Sequence, residues 1–111
     1  MIFKYENCNF GRFESFLIIR VIAYHALPDR DVIAWMKRIA PVLRGEEGLR
    51  QVEFTRSTSD PSLWGAVEHY GSMEDLEAYY LRREKRYKEM QDTWVDTSKS
   101  VHEYIYELLD I

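Results

Sequence analysis

Few side chains here can do chemistry at neutral pH, and they fall into three sets. The histidines are His25, His69 and His102. An imidazole titrating near pH 6.5 can transfer protons or bind a metal. Arg20 interrupts the apolar run Phe16-Leu17-Ile18-Ile19-Arg20-Val21-Ile22-Ala23-Tyr24. A guanidinium in such a run needs a carboxylate partner, and Glu53, Glu68 and Glu103 are the candidates. Directed at a substrate, Arg20 would stabilise an anion or an enolate; the plainer reading is an ion pair at a subunit interface. Finally Tyr24, Trp35, Trp64, Tyr79 and Tyr80, with Tyr87, offer enough aromatic surface to line a pocket for a planar ligand. At helical spacing the same rings also serve as ordinary core. The candidate catalytic residues are thus His25, Arg20 and His69, and the candidate substrate-binding residues Tyr24, Trp35, Trp64, Tyr79, Tyr80 and His102.

Several other chemistries lack their residues. There is no His-Glu-x-x-His or other short-spaced ligand motif, so no metal site is expected. No Gly-x-Ser-x-Gly context accompanies a nucleophile, and no Gly-x-Gly-x-x-Gly or phosphate loop holds a nucleotide, so no cofactor is expected. Cys8 is the single cysteine, which excludes an intramolecular disulfide and fits a reducing compartment. The net charge of −4 opposes nucleic-acid binding, which needs a positive field to neutralise phosphates. The Arg82-Arg83 and Lys85-Arg86 cluster is interleaved with Glu84 and Glu89 and reads as a solvated helix face. The first residues show no basic stretch leading into an apolar segment, and the longest apolar run, Phe16 to Ile19, is far short of a membrane helix. A soluble, cytoplasmic protein is the expectation, with no membrane partner.

At 111 residues the chain has room for one domain. Residues 1–14 read as an N-terminal extension and 15–111 as the domain. Phe16 to Tyr24 is the first strand, β-branched and aromatic. Pro28-Asp29-Arg30-Asp31 opens a helix with Asp29 as candidate N-cap. Val32, Met36, Ile39 and Val42 or Leu43 recur at helical spacing, widened by Ile33 and Trp35. Pro41 should kink or shorten its last turn, with Gly45 and Gly48 as the exit. Leu49 to Thr58 and Leu63 to Tyr70 form a hairpin around Ser57-Thr58-Ser59-Asp60-Pro61. Ser72 and Asp75 make a capping box for a helix from Met73 to about Gln91. Leu76, Tyr80, Tyr87 and Met90 should face inward there, and Glu84 and Lys88 pair along the helix. Val101 to Leu109 is the fourth strand.

Strand, helix, strand, strand, helix, strand is the split βαβ order of an α+β, ferredoxin-like fold. Right-handed crossovers put the strands in the order four-one-three-two, antiparallel, with both helices on one face. His25 and His102 then lie at the same end of the sheet. The first strand is apolar on both faces, yet two helices cover one. A second copy is the expected cover, closing an α/β barrel. Burying ~700 Å² of apolar surface per subunit would contribute about 15 kcal/mol gross, much of it offset by association entropy and side-chain ordering.

From Leu17 to Leu109 the chain resembles the dimeric α/β-barrel superfamily that includes the antibiotic-biosynthesis-type monooxygenases. The likeness rests on the first strand leading into Pro28-Asp29 and on Gly48 before a strand that turns at Asp60-Pro61. It rests as well on Glu68-His69-Tyr70-Gly71-Ser72-Met73-Glu74-Asp75-Leu76, similar to that group's acidic-aromatic-x-Ser strand-to-helix junction. The resemblance implies a ligand held between helices and sheet. It also implies a range of activities that includes cofactor-independent oxygenation of aromatic or quinol-like substrates, in which the substrate's own anion reduces oxygen. Haem-degrading members use an Asn on the first strand with a Trp and a His on the second helix. Here the first strand has no Asn, Tyr79 falls near the Trp position, and no His occurs between Tyr70 and Val101, so that branch is not implied. The competing expectation is a non-enzymatic dimeric ligand-sensing or stress-associated protein. RNA-recognition domains share the topology, but the basic-Gly lead before Trp64 is missing.

Overall fold

The alternation along the first strand organises the molecule. In the computed structural model, which describes residues 17–86 and 93–111, that strand is β1 (Ile18–His25). Ile18, Arg20, Ile22 and Tyr24 are buried on one side of it, and Ile19, Val21, Ala23 and His25 are half-buried on the other. It is followed by α1 (Val32–Arg44), β2 (Leu49–Arg56), β3 (Leu63–Tyr70), α2 (Met73–Arg86) and β4 (His102–Glu107). The four strands form one antiparallel sheet in the order β2-β3-β1-β4, as the crossover rule requires.

The core lies between one face of the sheet and the helices. Ile18, Ile22 and Tyr24 of β1, Val52 of β2 and Ala66 and Tyr70 of β3 pack with Val32, Trp35, Met36, Ile39 and Leu43 of α1 and Leu76 and Tyr79 of α2. Among the described residues the opposite face carries no helix. Across its middle runs the row Glu53, Val67, Val21 and Tyr104, followed by Gln51, His69, Ile19 and Tyr106. Tyr104 and Tyr106 of β4 are 57% and 53% exposed, so among the described residues the β1–β4 side of this face is apolar and open together, while Gln51, Glu53 and His69 make its β2–β3 side polar.

Local chemistry explains where the elements begin and end. Asp31, not Asp29, caps α1: its side chain accepts from the Ala34 N–H at 3.0 Å. Asp29 adopts φ +60°, a left-handed turn conformation incompatible with the extended N-cap geometry. Pro41 does not stop the helix, which continues to Arg44. The donor it lacks would have met the Lys37 carbonyl, and both residues lie on the solvent face, where water can replace it. Ser72 caps α2 as expected, its Oγ accepting from Asp75 N–H at 3.1 Å. Gly48, at φ +85°, turns the chain into β2, and a Cβ there would sit 2.8 Å from the Asp75 side chain. At Gly65, opposite Ala23, an added Cβ would meet the Ile22 carbonyl oxygen at 1.8 Å. On α2 it is Tyr79 that is fully buried, with Tyr80 half-buried beside it. Tyr87, Met90, the Glu84–Lys88 pair, Cys8 and the 1–14 extension lie outside the described residues and side chains.

After α2 the chain returns to the end of β1. Leu27 N–H bonds Trp94 O at 2.7 Å, Asp96 N–H bonds His25 O at 2.7 Å, and Ala26 bridges Val95. The Arg30 side chain donates to Thr93 O. These bonds deliver Trp94 into the core, where it is 3% exposed. Among the described residues, no helix is long and apolar enough to cross a membrane.

Candidate functional site

The site grows from Arg20. Antiparallel register sets Arg20 of β1 directly opposite Glu68 of β3, both facing the helices. Its Nη1 donates to Glu68 Oε1 at 2.7 Å and its Nε to Glu103 Oε2 of β4 at 2.6 Å. Glu68 also accepts from Tyr70 Oη at 2.8 Å, and Glu103 from Tyr80 Oη at 2.5 Å. The Tyr80 ring lies under the guanidinium at 5.2 Å. Two of the three carboxylates weighed as partners for Arg20 are therefore its partners within the chain. The third, Glu53, is on the opposite face.

This network has a defined protonation. Burial alone would lower the Arg20 pKa, but the Glu68 and Glu103 carboxylates outweigh it and hold the guanidinium charged. Burial raises the Tyr70 and Tyr79 hydroxyls well above the usual phenol range, reinforced by the negative Glu68. Tyr80 is pushed up to about 12 by burial and by its bond to Glu103. For Glu103, burial acts upward, but the donors Tyr80 and Arg20 prevail and lower it. The tyrosines are thus neutral donors around one cation.

Beside Arg20 a cavity of about 40 Å³ opens between sheet and helices, lined by Tyr24, Trp35, Met36, Phe54, Tyr79 and Trp94 among others. The two indoles sit 5.3 Å apart, and Tyr24 meets the Trp94 ring edge-on at 5.9 Å. Tyr24 Oη is held by Arg83 at 2.8 Å. Trp35 Nε1 and Trp94 Nε1 are buried and have no hydrogen-bond partner among the described residues. Each such donor costs about 1–3 kcal/mol if nothing accepts from it. A built polar network therefore sits beside two donors that nothing among the described residues bonds.

Of the residues singled out from sequence, Arg20, Tyr24, Trp35 and Tyr79 line this cavity, and Tyr80 joins it through Arg20 and Glu103. Trp64 does not; it stacks on Arg56 at 5.1 Å along the outer side of α1. The histidines all lie on the open sheet face. His25 and His102 pack at 5.5 Å, with His25 Nδ1 3.5 Å from Ser62 Oγ and 3.9 Å from Asp60. His69 Nε2 is 3.2 Å from Glu53 Oε1. Strand parity, with Arg20 inward and His25 five residues on, puts the histidines across the sheet from the guanidinium. Trp94 was missed, since it stands in no periodic segment; its signal was a large aromatic amid Asp92-Thr93-Trp94-Val95-Asp96. Among the described residues, no group of three His, Cys, Asp or Glu side chains is placed to hold a metal ion.

No family model matches the sequence, and no curated protein does. Solved structures do. A candidate antibiotic biosynthesis monooxygenase of Bordetella bronchiseptica superposes with a TM-score of 0.68 at 13% identity, over 86% of this chain and 99% of that one. The two share the ferredoxin-like α+β fold. NE2512 of Nitrosomonas europaea, a protein of unknown function, superposes at 0.69 with 14% identity, over 89% and 95%. Rv0793 of Mycobacterium tuberculosis gives 0.61 and 19%, over 86% and 97%. In this chain the cavity beside Arg20 occupies the space between sheet and helices, and it is built from residues of β1, β2, β3, α1, α2 and the Trp94 segment.

Proposed function

We propose that this chain acts as a cytoplasmic homodimer that takes a small planar aromatic or quinol-like molecule against Arg20 and oxygenates it without a cofactor. The observation that supports the reading is an apolar cavity beside a buried guanidinium, lined by Trp35 and Trp94, whose buried Nε1 donors have no partner among the described residues. Donors without acceptors suit a ligand that brings oxygen acceptors, and a cation suits one that becomes a phenolate. Loss of the phenol proton makes the ring electron-rich enough to reduce oxygen. In a balanced turnover the hydroxyl and ring hydrogens leave with one oxygen atom as water. The other oxygen atom becomes the second carbonyl of a quinone. Arg20 would stabilise the anion, and the indoles would bond the carbonyl oxygens that form. The homodimer is supported by the open sheet face, where Ile19, Val21 and Val67 are half-buried and Tyr104 and Tyr106 exposed.

A naphthol and naphthoquinone series tests the reading by tryptophan fluorescence and oxygen uptake. Micromolar binding, weakened about tenfold by Trp35→Phe or Trp94→Phe as the loss of one hydrogen bond to a ligand, and oxygen uptake with the naphthol are expected. Absence of binding at millimolar concentration would refute it.

The cavity's size favours a second reading. About 40 Å³ holds a water or two, against ~300 Å³ or more for drug-sized ligands, so a ring must displace Met36 or Tyr79 to enter. A non-enzymatic sensor, whose packing changes when a ligand enters, meets that requirement. It would bind the same series with no oxygen uptake.

A further inference from the structure

A second concavity runs along the outer side of α1 and the edge strand β2. It is an open groove of about 470 Å³ whose floor includes Ile33, Phe54 and Trp64 and whose rim carries Lys37, Arg44 and Arg56. Two sequence periods bring these groups together. Ile33, Met36, Lys37, Ala40 and Arg44 recur at helical spacing on one face of α1. Phe54 and Arg56 alternate with Val52 on the helix side of β2, and Trp64 pairs with Arg56 across the ladder. Arg56 stacks on Trp64, and none of the three cations has an ion pair among the described residues. Among the same residues no carboxylate lines the groove. On a chain of net charge −4, an uncompensated cationic rim over an apolar floor calls for an occupant both apolar and acidic.

The groove and the cavity beside Arg20 share a wall. Met36 and Phe54 line both. Met36 is 7% exposed, and its unbranched thioether chain turns aside more readily than a packed ring. Turning it joins a cavity of about 40 Å³ to a groove of about 470 Å³, which supplies at this wall the room a ring lacks inside. Tyr79, by contrast, lines the cavity but not the groove, and its ring packs on Tyr70 at 5.7 Å.

We propose that the ligand enters between α1 and β2 by turning Met36 aside, and that it is an aromatic ring bearing an acidic arm. The ring lies in the cavity with its hydroxyl toward Arg20, and the carboxylate of the arm lies on the groove rim at Lys37 and Arg56. This rests on the aromatic-ligand reading above and adds to it an entry side and an acidic group. Charge decides which end goes where. Arg20 is already bonded to Glu68 and Glu103, so a permanent anion is better met by the rim cations, which have no carboxylate partner among the described residues.

Distance sets the length of the arm. Arg20 lies level with Val52 through Glu68, and Arg56 is four residues further along β2. Two strand spacings of ~4.8 Å and four residues of ~3.3 Å put the two Cα atoms roughly 16 Å apart. Fused rings alone fall short of that span; with an arm of a few carbons, and the two cationic side chains reaching inward, they cover it. The groove lies on the helix side of the sheet, so a second copy on the open face leaves it free.

Three ligands and the full chain test this: 1-naphthol, a 1-naphthol carrying a butanoate arm on its unhydroxylated ring, and the methyl ester of that acid. In tryptophan-fluorescence titrations the acid should bind about tenfold more tightly than its ester, as a charge-assisted hydrogen bond gives. Arg56→Glu or Lys37→Glu should bring the acid down to the affinity of the ester. Arg38→Glu, the same change of charge on α1 outside the groove, should keep the preference. The Met36 methyl signal in carbon-resolved NMR, assigned by Met36→Leu, should shift with all three ligands. No preference for the acid, a preference that survives Arg56→Glu and Lys37→Glu or is equally lost in Arg38→Glu, or a Met36 methyl that does not respond would each overturn the inference and leave the cavity reading standing. Binding of none of the three ligands at millimolar concentration would overturn both.

Discussion

The two faces of the sheet are built from the same four strands and solve opposite problems. On the helix side, charges are buried but fully paired: Arg20 is 2% exposed and spans two carboxylates. On the open side the charged and ionisable groups, Glu53 with His69 and His25 with His102, remain at the surface amid half-buried Ile19, Val21 and Val67. One face is finished within the chain. The other is left half-open among the described residues, and the proposed second copy would cover it.

That contrast can be broken from the helix side most strongly. Gly65→Ala forces a methyl into the Ile22 carbonyl, so β3 and β1 must separate. Denaturant unfolding should show a loss of about 3 kcal/mol or more. Arg20→Ala leaves Glu68 as an uncompensated buried charge, for a loss in the range of about 3–5 kcal/mol. Arg20→Met with Glu68→Leu should recover most of it, because both charges leave together. On the open face, Val21→Asp should cost the monomer less than about 1 kcal/mol and abolish the proposed dimer, read by sedimentation. Asp31→Ala, which touches neither face, should lose about 1 kcal/mol through the α1 cap.

The faces should also differ in their pH response. Tyr80 titrates at about 12 folded against 10 unfolded, so its contribution is complete below pH 10 and is lost as pH rises through about 12. Tyr70 and Tyr79 are raised as well and act in the same direction. Glu103 is lowered from its ordinary 4.5, so its contribution holds above that value and fades as the solution is acidified below it. Thermal unfolding followed across both windows should fall at each end, and Tyr80→Phe should flatten the alkaline fall.

Most of the architecture was legible because it depends on patterns of period two and on handedness. The β-branched and aromatic run of β1, the Asp60-Pro61 turn and the Ser72 cap each specify one element, and the crossover rule then orders the strands. Arg20 was legible as a residue needing a carboxylate. The face on which each histidine lies was not, since it depends on the strand's phase: His25 sits one step out of register with Tyr24 and falls on the opposite side. Trp94 was hidden because its burial depends on backbone bonds to Leu27 and His25, which no local pattern announces. Asp29 and Asp31 competed for one cap, and a left-handed turn decided between them.

The central claim is that the Trp35 and Trp94 indoles await an acceptor. Nitrogen-resolved NMR of the two indole N–H groups during titration with naphthoquinone, and separately with naphthalene, measures this. Downfield shifts of both signals with the quinone, and none with the hydrocarbon of the same shape, are predicted. Equal responses to the two ligands, or none to either, would contradict the account.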